Sequence, residues 1–191
     1  MVGLADDHEW MGGASMSQNG VICNPNIPSE EVFTTPHALR VEGHVSSTKP
    51  LSHQGTLIDD IRVVFEKGSI TEAKASRGET VLKKVLDSDE GARRLGEVAL
   101  VPNSSPISSS GLLFYNTLFD ENAACHIALG QCYSKCFKGE KNLSTSEITE
   151  RGGNSSMIHI DWMIGSGEID IDGFGKNGET VPIFRKGEWV D

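Results

Sequence analysis

The segment Ser156-Met157-Ile158-His159-Ile160-Asp161-Trp162-Met163 constrains the fold of this chain more than any other. It is an apolar run of strand length that carries a histidine and an aspartate two residues apart. Residues i and i+2 of a strand share a face. His159 and Asp161 therefore project together, with Ile158, Ile160 and Trp162 on the opposite side. An imidazole and a carboxylate removed from water need compensation. They can hydrogen-bond to each other, in a core or on a wet sheet face. Alternatively a metal ion compensates both, because one imidazole and one carboxylate make half of a common hydrolytic metal site.

The rest of the chain reads as short strands joined by turns. Glu31 to Pro36, Val41 to Ser47, Leu57 to Phe65 and Ile70 to Ala75 are strand candidates, the last two forming a hairpin through Glu66-Lys67-Gly68-Ser69. Gly78 to Asp87 predicts a helix with Val81, Leu82, Val85 and Leu86 on one stripe. Gly96 to Pro102 reads as a buried strand stopped by proline. A second helix is expected from Asp120 or Asn122 past Tyr133, since Asp and Asn are good N-caps. Asn103 to Gly111 reads as a loop, and residues 138–155 as a polar connection. These elements predict an α+β domain, a mixed and mostly antiparallel sheet of barrel-like form with two or three helices. Residues 1–28, rich in Gly, Asn and Ser, read as loop.

The charge balance bounds the partners. With 17 basic and 27 acidic residues the chain carries −10, which argues against nucleic acid or an anionic membrane. It also leaves carboxylates to spare for cations. No apolar run approaches the roughly 20 residues of a membrane span. Asp6, Asp7, His8 and Glu9 stand where a signal peptide would be basic and then apolar, so a cytoplasmic location is expected. Of the cysteines, Cys125, Cys132 and Cys136 are spaced seven and four apart, near one helical face, and free thiols fit a reducing compartment.

Several further ionisable groups sit in apolar settings. Glu97 opens a buried strand; it is a solvated strand end or a ligand at a sheet edge. Glu121 precedes His126 by five residues, so the two converge only if Glu121 lies in the entry turn of the helix; the alternative is that Asp120 or Glu121 merely caps it. His126 and Tyr133 are seven apart and would share a helical face, Tyr133 being a hydrogen-bond donor or an ordinary half-buried tyrosine. Of Glu30 and Glu31, which point opposite ways on an extended chain, one at most faces a site. Two histidines with three or four carboxylates suit a carboxylate-rich pair of metals better than one mononuclear zinc, which needs only three protein ligands.

Four blocks in order extend this reading. Asn26 to Pro36, Asp89 to Val101, Gly111 to His126 and His159 to Ser166 resemble the thermophilic-type metallo-aminopeptidases, peptidase family M29. The resemblance runs from Trp10 to Val190. It implies a two-metal hydrolase that releases N-terminal amino acids from peptides with a free N-terminus. By the resemblance, the metal-binding positions are Glu31, Glu97, Glu121, His126, His159 and Asp161, and the active-site tyrosine is Tyr133. Glu97 or Glu121 would bridge two divalent ions (Zn, Co, Mn or Mg), Glu97 would take the proton of water, and Tyr133 would donate to the oxyanion. The family pattern also includes a homodimer and a separate N-terminal α/β domain. The sequence is therefore expected to be the C-terminal, metal-bearing domain, residues 29–191, entered through a linker remnant at 1–28. A catalytically incompetent metal-binding module is the alternative.

Overall fold

The computed structural model describes residues 1–27, 29–139 and 143–190; Pro28 in the first expected loop and residues 140–142 in the polar connection lie outside them. The centre is a five-stranded antiparallel sheet. Its order across the sheet is Met11–Gly12, Val32–Thr34, Leu95–Leu100, His126–Gly130 and His159–Met163. A three-stranded sheet of Gly43–Ser46, Arg62–Glu66 and Ser69–Lys74 contains the expected hairpin. A three-stranded meander of Ile171–Phe174, Thr180–Arg185 and Glu188–Trp189 lies near the C-terminus. The α+β expectation holds. None of the sheets among the described residues closes into a barrel, and four α-helices accompany them. No helix among the described residues is long and apolar enough to cross a membrane.

Strand parity splits the central sheet into two faces. Val98, Ile127, Leu129, Ile160 and Trp162 point to one side and join the main core with Ile58, Ile61, Val63, Leu82 and Leu86. The helix that supplies Leu82 and Leu86 is Glu79–Leu86, inside the span expected from its apolar stripe. Burying so many aliphatic side chains at roughly 25 cal/mol per Å² makes this face the anchor of the fold. The other face is built differently. The cross-strand rows are Phe33, Ala99, His126 and Met163, then Glu97, Ala128 and Asp161, then Gly130 and His159. Alanine and glycine stand between the ionisable groups. The small residues leave space above the sheet where a larger side chain would fill it.

The second expected helix is not formed. Thr117–Asp120 is a single α-helical turn and Glu121–Ala123 a 3₁₀ turn, after which His126–Gly130 is a strand. Pairing on both edges, with Leu95–Leu100 and with His159–Met163, overrides the helical preference of Ala123, Ala124 and Ala128. His126 and Tyr133 are therefore not neighbours on a helix, and Cys125, Cys132 and Cys136 do not share a helical face. Smaller differences follow the same logic of long-range pairing. Leu57 to Phe65 divides into Thr56–Ile58 and Arg62–Glu66, broken at Asp60 with φ of 51°. The Asn103 to Gly111 loop contains the helix Pro106–Ser110, and the polar connection contains Thr145–Glu150 with a Ser144/Glu147 capping box. Before residue 28, Val2–Leu4 pairs with Pro36–Val41 and Met11–Gly12 with Val32–Thr34, so this backbone is partly strand where loop is expected.

Candidate metal centre

Six of the seven residues singled out in the sequence meet on or beside the small-residue face. Glu97, His126, His159 and Asp161 come from three adjacent strands. Glu31 enters from the residue before Val32–Thr34; it is buried, whereas Glu30 is exposed. Glu121 arrives from the 3₁₀ turn. Tyr133, the seventh, lies at the rim, its ring centroid 4.7 Å from that of His159 and 5.9 Å from that of Phe33. It reaches this place because Gly130, at φ of 101°, turns the chain out of the strand. A Cβ at Gly130 would stand 2.2 Å from the Ile158 carbonyl oxygen, so only glycine allows this turn.

Both histidines are held so that Nε2 faces the cluster. His126 Nδ1 donates to the Ala124 carbonyl at 3.0 Å, and His159 Nδ1 to the Gln131 carbonyl at 2.6 Å. A neutral imidazole whose Nδ1 carries the proton presents a lone pair at Nε2. These two carbonyls orient the rings as the outer partners of metal-ligating histidines do, and nothing in the sequence alone marks them.

Two triads of donor atoms result. Glu31, Glu97 and His126 form one, and Glu97, His159 and Asp161 the other, the donor atoms of each lying within 4.8 Å of one another. Glu97 belongs to both. Its Oε1 lies 3.8 Å from His126 Nε2 and its Oε2 3.4 Å from His159 Nε2. Glu31 Oε1 is 3.0 Å from His126 Nε2, and Asp161 Oδ2 is 3.5 Å from His159 Nε2. Two donors each about 2.1 Å from one ion stand roughly 3.0 to 3.4 Å apart. The buried His126 Nε2 has no aligned hydrogen-bond partner among the described residues despite its approach to Glu31. An orphaned imidazole lone pair facing acceptor-only carboxylates is a donor set that fits a cation.

Without a cation the cluster retains protons. Burial works against charged His126, but Glu31, Asp161 and Glu97 overrule it and raise the imidazole to about 10. Burial likewise opposes charge on His159, and Asp161 and Glu97 raise it to about 11. Burial, followed by the Asp161 charge, pushes Glu121 up to about 9. Burial raises Glu97 as well, whereas His159 overcomes burial and holds Asp161 low. A metal must displace the histidine protons. Divalent-ion binding at pH 7.5 is therefore expected to release protons, with apparent affinity rising as pH approaches 9 to 11. Calorimetric titration in buffers of different ionisation enthalpy measures the release; a buffer-independent enthalpy counts against it.

The fold and the nitrogen–oxygen donor cluster describe a candidate metalloprotein on an α+β scaffold. A family model described as thermophilic metalloprotease (M29) matches residues 1–189. The chain belongs to this metallopeptidase family. It is 55% identical to aminopeptidase T of Thermus aquaticus over 189 residues, covering 99% of this chain and 46% of that protein. It is 54% identical to aminopeptidase 2 of Geobacillus stearothermophilus, with 99% and 46% covered. A solved structure described as wild-type AmpT from Thermus thermophilus superposes with a TM-score of 0.92 at 53% identity, over 100% of this chain and 47% of that one. The chain thus spans about half the length of the curated relatives it matches.

Proposed function

We propose that this chain is the metal-bearing part of an aminopeptidase that releases N-terminal amino acids from peptides. One observation carries the two-metal form of this reading: the two oxygens of Glu97 face different histidines, each within its own ligand triad. Glu31, His126 and Glu97 would hold one divalent ion, and His159, Asp161 and Glu97 the other. Charge supports the count. Four ionised carboxylates (Glu31, Glu97, Glu121 and Asp161) with two neutral imidazoles are balanced by two divalent ions, and buried charge has to be balanced. Zn, Co, Mn and Mg all accept such donors.

When bound, the ions supply Lewis acidity and a lowered pKa for water. The side chains supply the rest. A carboxylate whose two oxygens each face a cation is a poor base, because both cations withdraw its charge, so the geometry favours Glu97 as the bridge. Glu121, a metal-binding position by the family resemblance, belongs to neither triad, which favours it over the expected Glu97 as proton acceptor. Burial and the cluster carboxylates hold Tyr133 above the ordinary phenol range, so its hydroxyl remains a donor at neutral pH for a developing oxyanion. The reading extends to a homodimer in a cytoplasmic compartment, supported by the family resemblance and by four free thiols.

A second reading is favoured by the half-length match: a module that binds metal without turnover. Metal titration alongside hydrolysis of a leucyl anilide separates the two. Aminopeptidase action requires turnover that appears with divalent metal, vanishes with chelator, and is absent on the N-acetylated substrate. Two ions bound with no release of leucine would establish the module instead.

A further inference from the structure

The candidate centre is rich in carboxylates, yet a cation stands at its rim. Lys135 lies in the 3₁₀ turn Ser134–Cys136, two residues after Tyr133. The turn is pinned. Cys136 is buried and packs with Phe33 and Ala99, its N–H donates to the Tyr133 carbonyl at 3.1 Å, and its carbonyl accepts from the Glu9 N–H at 2.8 Å. From this base the exposed Lys135 side chain lays its Nζ over two rings, 4.6 Å from the Phe33 centroid and 5.3 Å from the Tyr133 centroid. Phe33 stands in the cross-strand row of Ala99 and His126, and the Tyr133 ring lies 4.7 Å from that of His159. Aromatic faces attract an ammonium without neutralising it, so the charge is placed but remains available to an anion. Among the described residues no carboxylate pairs with it.

The geometry points to Lys135 as a specificity residue that binds a carboxylate on the residue after the scissile bond, whether the C-terminus of a dipeptide or an acidic side chain. This rests on the aminopeptidase reading above. In that reading the free amine and the scissile carbonyl lie at the cluster, and Tyr133 donates to the developing oxyanion. What remains of a dipeptide is one residue that ends in a carboxylate. Two extended residues span roughly 7 Å. The Tyr133 ring centroid is 4.7 Å from the His159 ring and 5.3 Å from Lys135 Nζ, so a lysine stem of four flexible carbons closes the remaining distance. A substrate with charges of both signs then meets acceptors at one end of the site and a cation at the other.

The test compares leucylglycine with leucylglycinamide, and leucyl-aspartyl amide with leucyl-asparaginyl amide, in the metal-loaded chain. Each pair shares the free amine and the scissile bond, so its ratio of kcat/KM is independent of how much protein is folded or loaded. Lys135→Met keeps the apolar stem over the rings and removes the charge. It should lower the carboxylate-to-amide ratio by about fivefold or more in at least one pair, and the pair that responds tells a terminal from a side-chain carboxylate. Lys135→Glu should lower that ratio further, and Lys135→Arg should hold it within about twofold. The same discrimination is read without turnover by calorimetric titration of uncleavable analogues of both pairs, with CH₂–NH in place of the scissile peptide group. Ratios within about twofold of wild type in Lys135→Met, or equal losses on both members of each pair, overturn the inference and leave the lysine as packing on Tyr133. Metal-loaded chain that turns over none of the four substrates overturns the aminopeptidase reading alone, and the analogue titration then decides for or against the Lys135 site.

Discussion

Glu97→Gln is expected to empty both halves of the candidate centre together and to lower turnover by about a thousandfold or more. The substitution conserves shape and burial but replaces one charged oxygen with an amide nitrogen that donates. Glu97 is 4% exposed and its oxygens lie 3.8 Å and 3.4 Å from two different histidine nitrogens. Whichever end the amide occupies, it opposes a lone pair or a cation at one triad and leaves a weaker neutral ligand at the other. His126→Ala and His159→Ala should behave differently, each weakening mainly its own triad. Metal content by elemental analysis, set beside kcat, distinguishes the cases. If Glu97→Gln loses only one of two ions, or retains both with near-normal turnover, the shared-ligand assignment fails.

Glu121→Gln is expected to do the reverse, retaining both metals while kcat falls by about a hundred- to ten-thousandfold. The side chain stands outside both triads, so each triad keeps its three donors in this variant. It is tied at one oxygen by Asn26 and stands close to Asp161, and both contacts survive in the amide once it flips to suit them. What the amide loses is the ability to take a proton. Loss of metal in this variant would make Glu121 a ligand first, and normal turnover would return the proton-accepting role to another carboxylate.

The two variants also show which parts of the site were legible in the residues. The same-face pairing of His159 and Asp161 follows from strand parity, and Ile160 and Trp162 do point into the core on the other side. Glu97 is legible as a carboxylate at the mouth of a buried strand. Glu31 was narrowed only to one of two adjacent glutamates, which burial separates. His126 lies in a strand where the sequence predicts a helix. Its strand is buried on both faces, so its sequence lacks the polar–apolar alternation of a half-exposed strand and resembles a buried helix. The strands before residue 28 leave no mark in the sequence, because pieces of two or three residues have no period to detect. The carbonyls of Ala124 and Gln131 were invisible in principle, since any residue supplies a carbonyl and only the fold aims it.

The six residues of the cluster are scattered from position 31 to position 161; four ride on strands that pair antiparallel with one another, Glu31 directly precedes a fourth strand of that sheet, and Glu121 sits on a 3₁₀ turn. No local stretch of chain can hold an ion in the arrangement seen here. The donor set comes into existence only after the slow, high-contact-order step that brings distant strands into register. Metal is then a ligand of the native state alone. It leaves the early folding steps unaided, and afterwards deepens the native well in proportion to the logarithm of free ion over dissociation constant. A chain of this design would act as its own proofreader: only a molecule whose central sheet has fully assembled would present the donor set that a metal needs.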